Sequence, residues 1–135
     1  MKKVSIMFVD DDEIHNFVME SYIKHLKLDA NPSFFSDSKK ALDLLDETPK
    51  EHWPDIIILD LKMPLLDGFD FVKHLQIYHP ELNKHTFLIV LTASISPVDE
   101  EEIKKFRVVD EYFIKPIIPK QLKNTINNCL AEKMI

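Results

Sequence analysis

The sequence predicts an α/β fold, a doubly wound five-stranded parallel sheet with helices on both faces, and three observations predict it. Lys3 to Val9, Ile56 to Leu59 and Thr86 to Thr92 are apolar almost without a break, the pattern of strands covered on both sides. Between such runs, apolar residues recur at three- and four-residue spacing, which marks one face of a helix. Strand and helix then alternate along the chain with no long linker, internal repeat or low-complexity segment. Right-handed crossovers pack helices of that kind back onto a parallel sheet.

The first strand, Lys3 to Val9, runs into Asp10, Asp11, Asp12 and Glu13. Asp12 suits a helix cap, and from Ile14 onward Phe17, Val18, Tyr22 and Leu26 form a helical face. Asp29 to Phe35 is a weaker strand, which Pro32 assigns to an edge or shortens. Ser36 or Asp37 caps a second helix bearing Ala41, Leu42 and Leu45, which ends before Pro49. Thr48 to Pro54 is a polar loop around Trp53.

The strand from Ile56 to Leu59 delivers Asp60 at its carboxyl end. Pro64 and the turn dipeptide Asp67-Gly68 then take the chain out of the sheet. Phe69, Val72, Leu75 and Tyr78 predict a helix stopped by Pro80. The strand Thr86 to Thr92 leads into Ala93 and Ser94. Ser96-Pro97-Val98-Asp99 has the form of a capping box with proline at the first helical position. The helix it opens is strongly acidic and offers only Val98, Ile103 and Phe106 as apolar contacts, so it is expected to be largely exposed. Val108 to Ile114 is the last strand, closed by Lys115-Pro116, and Pro119 opens a final helix with Leu122, Ile126, Cys129 and Leu130 on one face.

At 135 residues, 45% of them hydrophobic, the chain suits one core and is read as one domain, 1–135. A formal net charge of −6 argues against nucleic acid or an anionic membrane surface as partner, since both need a basic face. The one cysteine, Cys129, cannot form an internal disulfide and reads as a small buried apolar residue. Val4 to Val9 is too short for a signal-peptide apolar region, and no stretch approaches the roughly 20 apolar residues of a membrane span. The expectation is a cytoplasmic domain.

In open α/β sheets ligands bind in the crevice outside the carboxyl ends of the strands. A parallel sheet brings Asp10 and Asp11, Asp60, Thr92 and Lys115 to that edge. Three carboxylates carry about −3, and like charges in one site raise each other's pKa or call for a counter-ion. Lys115 supplies one positive charge and a divalent cation the other two. Oxygen donors without nearby cysteine or histidine favour Mg²⁺. A carboxylate beside Mg²⁺, an ammonium and a hydroxyl suits the role of phosphoryl acceptor.

The blocks VDDDE (Val9 to Glu13), LDLKMPLLDG (Leu59 to Gly68), LTAS (Leu91 to Ser94) and YFIKPI (Tyr112 to Ile117) together resemble the receiver domain of bacterial two-component response regulators, over essentially the whole chain. The resemblance implies a flavodoxin-like strand order, 2-1-3-4-5, and phosphorylation of Asp60. It implies Mg²⁺ held by Asp10, Asp11, Asp60 and the backbone carbonyl of Lys62, with Asp10 acting mostly through metal-bound water. Thr92 would be the hydroxyl that moves toward the phosphoryl group, Lys115 its cationic partner and Tyr112 the aromatic that changes rotamer. Pro116 would follow a cis peptide bond, and Lys62 and Ser94 would occupy positions that tune the lifetime of the phosphoryl group. The implied partners are a sensor histidine kinase or histidine phosphotransfer protein and a downstream protein, as in a chemotaxis-type or relay regulator without an output domain.

One departure is the loop before the last strand, FRVVDEY, which lacks the small and glycine residues common there in the family; Gly68 is the only glycine in the chain. A phosphatase of the haloacid dehalogenase type wants a second aspartate where Lys62 stands. A phosphorylation-independent module would have lost an acid, the threonine or the lysine, and a dinucleotide-binding domain would need a glycine-rich turn. Standing alone, the acidic run after Val9 would be a solvated turn, Thr92 a strand-end hydroxyl and Tyr112 a half-buried strand aromatic. His15, His25, His52, His74, His79 and His85 have no zinc-like spacing and read as structural or surface residues.

Overall fold

The structure, a computed structural model, describes residues 3–64 and 66–133. Strands β1 (Val4–Val9), β2 (Ala30–Phe35), β3 (Ile56–Leu59), β4 (Phe87–Thr92) and β5 (Glu111–Ile114) alternate with helices α1 (Glu13–His25), α2 (Ser38–Glu47), α3 (Gly68–Tyr78), α4 (Pro97–Lys104) and α5 (Pro119–Lys133). The five strands form one sheet in the order β2-β1-β3-β4-β5, and every neighbouring pair is parallel. The predicted α/β architecture and strand order are those observed.

The continuous apolar strands divide their side chains between two cores, because successive residues point to opposite faces. Met7, Val9, Ile57, Leu59, Leu88 and Val90 pack on one side with Leu42 and Leu45 of α2, Phe71 and Leu75 of α3 and Ile103 of α4. Ile6, Phe8, Ile56, Ile58, Ile89 and Leu91 pack on the other with Met19 and Ile23 of α1 and Leu122, Ile126 and Cys129 of α5. Pro32 lies on β2, an edge strand, paired with Ile6, where a missing N–H costs no ladder bond on the open side. Among the described residues no helix is long and apolar enough to cross a membrane.

Several elements differ from expectation for identifiable reasons. The buried face of α1 is Met19 and Ile23, whereas Ile14, Phe17 and Leu26 are exposed; the helix is rotated from the phase that the spacing of Phe17 and Leu26 suggested. Val98 is likewise exposed, leaving Ile103 as the one buried residue of α4. Strand β5 starts at Glu111, because the Asp110 side chain takes a ladder position just before it: its Oδ2 accepts from Leu88 N at 2.8 Å. Trp53 is buried in the first core, its indole N–H donating to the carbonyls of Leu45 and Thr48. Asp12 and Asp37 are the N-caps of α1 and α2. The Leu130 side chain lies outside the described residues.

Candidate functional site

Register places the acids. Val9 is opposite Leu59, and Leu59 opposite Val90, so β1, β3 and β4 reach the same level at their carboxyl ends. Asp10 N donates to Phe35 O (3.0 Å) and Asp60 N to Val9 O (2.9 Å). These bonds carry the sheet pattern one residue past each strand and fix both carboxylates at the crevice. Asp10, Asp60 and Thr92 are buried while Asp11 is exposed, and the three aspartates each place an oxygen within 4.8 Å of the others.

Lys115 closes the site from β5. Its N–H donates to Thr92 O at 2.7 Å, and its Nζ stands 2.7 Å from Asp10 Oδ2 and 3.5 Å from Asp60 Oδ2. The Lys115-Pro116 peptide bond is cis. Asp10 Oδ1 accepts from Asp12 N at 2.9 Å, and the Asn16 amide donates to Asp10 O. His15 Nδ1 is 3.1 Å from Asp10 Oδ2 but makes no hydrogen bond among the described residues.

The electrostatics separate the two buried acids. Burial raises the pKa of Asp10, but its contacts with His15, Lys115 and Asp12 N outweigh burial and hold the carboxyl below the ordinary range. Burial, and next the adjacent Asp10 charge, push Asp60 up to about 6 against the opposing pull of Lys115. Burial disfavours the Lys115 ammonium, yet Asp10 and Asp60 together keep its pKa above the usual lysine value. The expectation that no histidine lies nearby fails, since His15 stands beside Asp10. The grouped ligand atoms are nonetheless the oxygens of Asp10, Asp11 and Asp60, and three carboxylates facing one ammonium leave an excess of negative charge. That donor set fits a hard divalent cation of the Mg²⁺ class.

Gly68 sets the approach of α3. A Cβ there would lie 2.6 Å from both Asp60 O and Leu61 Cα, and Gly68 N donates to Leu61 O at 2.8 Å. The helix start therefore rests directly on the backbone that carries Asp60, at a distance only glycine permits. Ser38 of α2 donates to Leu66 O and ties the same loop to the neighbouring helix.

Lys62 and Ser94 meet through a third residue. Lys62 Nζ lies 3.3 Å from Asp99 Oδ2, and Ser94 Oγ donates to the same oxygen at 2.6 Å. The predicted capping box is consequently half formed: Ser96 Oγ accepts from Asp99 N at 3.4 Å, but the Asp99 carboxylate turns to Ser94 and Lys62. Thr92 Oγ1 accepts from Ser94 N at 3.1 Å. Tyr112 is half-buried, and its hydroxyl has no hydrogen-bond partner among the described residues. Burial first, then the charges of Asp99 and Glu100, raise its pKa. Sequence reasoning missed Asp99 and His15: the first was read only as a cap, and the second carries no signal until α1 lays it beside Asp10.

Residues 6–127 match the family described as the response regulator receiver domain. The chain belongs to that family. Among relatives, the receiver is 28% identical to the polar-differentiation response regulator DivK of Brucella ovis, covering 95% of this chain and 97% of DivK. It is also 28% identical to the probable transcriptional regulator ycf27 of Porphyridium aerugineum, covering 96% of this chain but only 49% of that relative. A two-component response regulator from Cytophaga hutchinsonii superposes with a TM-score of 0.83 at 25% identity, over 97% of this receiver and 99% of that chain. The receiver domain of a sensor histidine kinase from Pseudomonas aeruginosa, solved with a magnesium ion coordinated in its active-site cleft, has the same fold (TM-score 0.74, 21% identity, 96% and 98% covered).

Proposed function

We propose that this receiver accepts a phosphoryl group on Asp60 from a histidine-phosphorylated kinase or phosphotransfer protein, with Mg²⁺, and signals through a phosphorylation-dependent contact with a downstream protein. The carrying observation is the placement of the Asp60 carboxylate 3.5 Å from Lys115 Nζ, within one cluster with Asp10 and Asp11. An Asp60 oxygen attacks phosphorus, the P–N bond of the donor breaks, and its electron pair returns to the imidazole nitrogen. Reversal by water breaks the new P–O bond and restores the carboxylate.

Asp10, Asp11, Asp60 and the Lys62 carbonyl would hold the cation, which when bound offsets negative charge on the transferring oxygens. The magnesium in the Pseudomonas receiver supports this reading. Lys115 sits where its ammonium meets a phosphoryl oxygen on Asp60. Thr92 and Tyr112 form the responsive pair, since a hydroxyl drawn toward the phosphoryl group opens space that the unpaired Tyr112 ring can enter. The differential affinity of two such arrangements for the phosphoryl group is what phosphorylation uses. The same reading puts the protein in the cytoplasm.

The deciding experiment incubates the protein with a small phosphoramidate, with and without Mg²⁺, and weighs it intact. The expected gain is roughly 80 Da for one acyl phosphate, dependent on Mg²⁺ and absent in Asp60→Asn. Modification that survives this substitution overturns the assignment.

A further inference from the structure

A second cluster of metal-ligating side chains lies away from the aspartate crevice. His79 Nε2 is 2.7 Å from Asp46 Oδ1, and His74 Nε2 is 2.9 Å from Asp46 Oδ2. One ligand atom from each of the three residues falls within 4.8 Å of the others. Asp46 is in the last turn of α2, His74 is on α3, and His79 is the residue that ends α3. Helices of a parallel α/β sheet run back against the strands, so these ends lie at the amino edge of the sheet, a strand length from Asp60.

We propose that Asp46, His74 and His79 form a binding site for a late first-row divalent cation of the Zn²⁺ class, joining α2 to α3. Two imidazole nitrogens and one carboxylate are a donor set for Zn²⁺ and its neighbours, and Mg²⁺ does not compete well for imidazole. Bonds of about 2.1 Å in a tetrahedral site space the ligand atoms by roughly 3.4 Å. Taken from the single oxygen Asp46 Oδ1, the present separations are 2.7 Å to His79 Nε2 and 3.1 Å to His74 Nε2, each a fraction of an ångström short of that spacing, and one ligand atom from each histidine lies within 4.8 Å of the other. Three protein ligands leave a position for water or for a group from another molecule.

The rings are already oriented. His79 leaves the helical path at φ −136° and ψ 53°, which lets a residue five positions from His74 turn back to the same carboxylate. Its ring centroid is 4.8 Å from that of Trp53, while His74 lies 4.7 Å from Tyr78. Among the described residues His79 Nδ1 is buried without a hydrogen-bond partner, so the polar interaction of that ring runs through the nitrogen that faces Asp46. Burial opposes ionisation of Asp46, but the two histidines outweigh it and hold the carboxyl below its ordinary range. It is the anion a cation would meet. Linear spacing hid the site, because Asp46 is 28 residues from His74.

The test is calorimetric titration of the whole protein with Zn²⁺ in millimolar Mg²⁺, which occupies the aspartate crevice. The expectation is one Zn²⁺ per chain, with affinity lowered about a hundredfold or more by His74→Ala, His79→Ala or the near-isosteric Asp46→Asn, and unchanged by Asp60→Asn. Ring NMR on the unaltered protein gives a readout independent of any variant: Zn²⁺ should shift His74 and His79 and leave His25 and His52 in place. Absence of binding, binding unchanged in the His74→Ala/His79→Ala double variant, or binding lost in Asp60→Asn overturns the proposal. So do shifts confined to other histidines.

Discussion

Lys62 and Ser94 converge on one carboxylate oxygen of Asp99, at 3.3 and 2.6 Å. This joins the loop after β3 to the start of α4, across the mouth of the crevice. Lys62→Ala removes an ammonium from that mouth, whereas Asp99→Ala releases it toward the phosphoryl group. The two substitutions should move the dephosphorylation rate severalfold in opposite directions, and the double variant should follow Lys62→Ala alone. Rates come from decay of the phosphorylated intact mass. Equal effects of the same sign would show that the Asp99 link does not restrain Lys62.

The elevated pKa of Asp60 makes its charge a cost to the metal-free fold. With a folded value of about 6 against an ordinary 3.8, the native state holds more protons than the unfolded chain between those values, so this residue's contribution to stability falls as pH rises through that window. Asp10 has the opposite sign: its lowered pKa gives stability above the ordinary value that is lost only as pH falls below it. Urea unfolding in chelator should therefore find Asp60→Asn more stable than the parent by roughly 1–3 kcal/mol at pH 7, with the gap closing near pH 4.

Lys115 is the only cation among the described residues within ion-pair distance of both Asp10 and Asp60. Lys115→Met keeps much of the side-chain volume and leaves the two buried acids uncompensated. The metal-free protein should lose roughly 2–4 kcal/mol in urea unfolding. Mg²⁺ should recover more stability in the variant than in the parent, because its charge then carries the whole compensation.

At Gly68 an added methyl meets backbone on two sides, Asp60 O and Leu61 Cα at 2.6 Å. Neither can swing aside as a side chain would. Gly68→Ala should destabilise by about 1–3 kcal/mol and lower the phosphorylation rate by displacing Asp60. A rate equal to the parent's would mean that α3 can retreat without moving Asp60.

The fold was readable because the strands are buried on both faces. Ile56 to Leu59 has no polar residue to confuse the period, and an aspartate at its end marks where the sheet stops. The aspartates of the crevice were readable for the same reason, since the end of each strand fixes where the next side chain stands. Helix phase was less legible. Phe17 and Leu26 are as apolar as Met19 and Ile23, and which pair turns inward is decided by packing on the sheet, which no local pattern encodes. The Asp46, His74 and His79 grouping was invisible because it depends on how α2 and α3 lie side by side and on the irregular end of α3.

Helix α4 hangs from the molecule by Ile103, its only buried side chain, and burying one isoleucine secures on the order of 1.5–3 kcal/mol. That is a weak mooring beside α2, which sinks Ala41, Leu42 and Leu45 into the same core. Hydrogen exchange should show amides 98–104, Pro97 having none, opening long before those of 38–47. The acidic stretch expected to be largely exposed is thus the helix with the smallest buried anchor among α1 to α4.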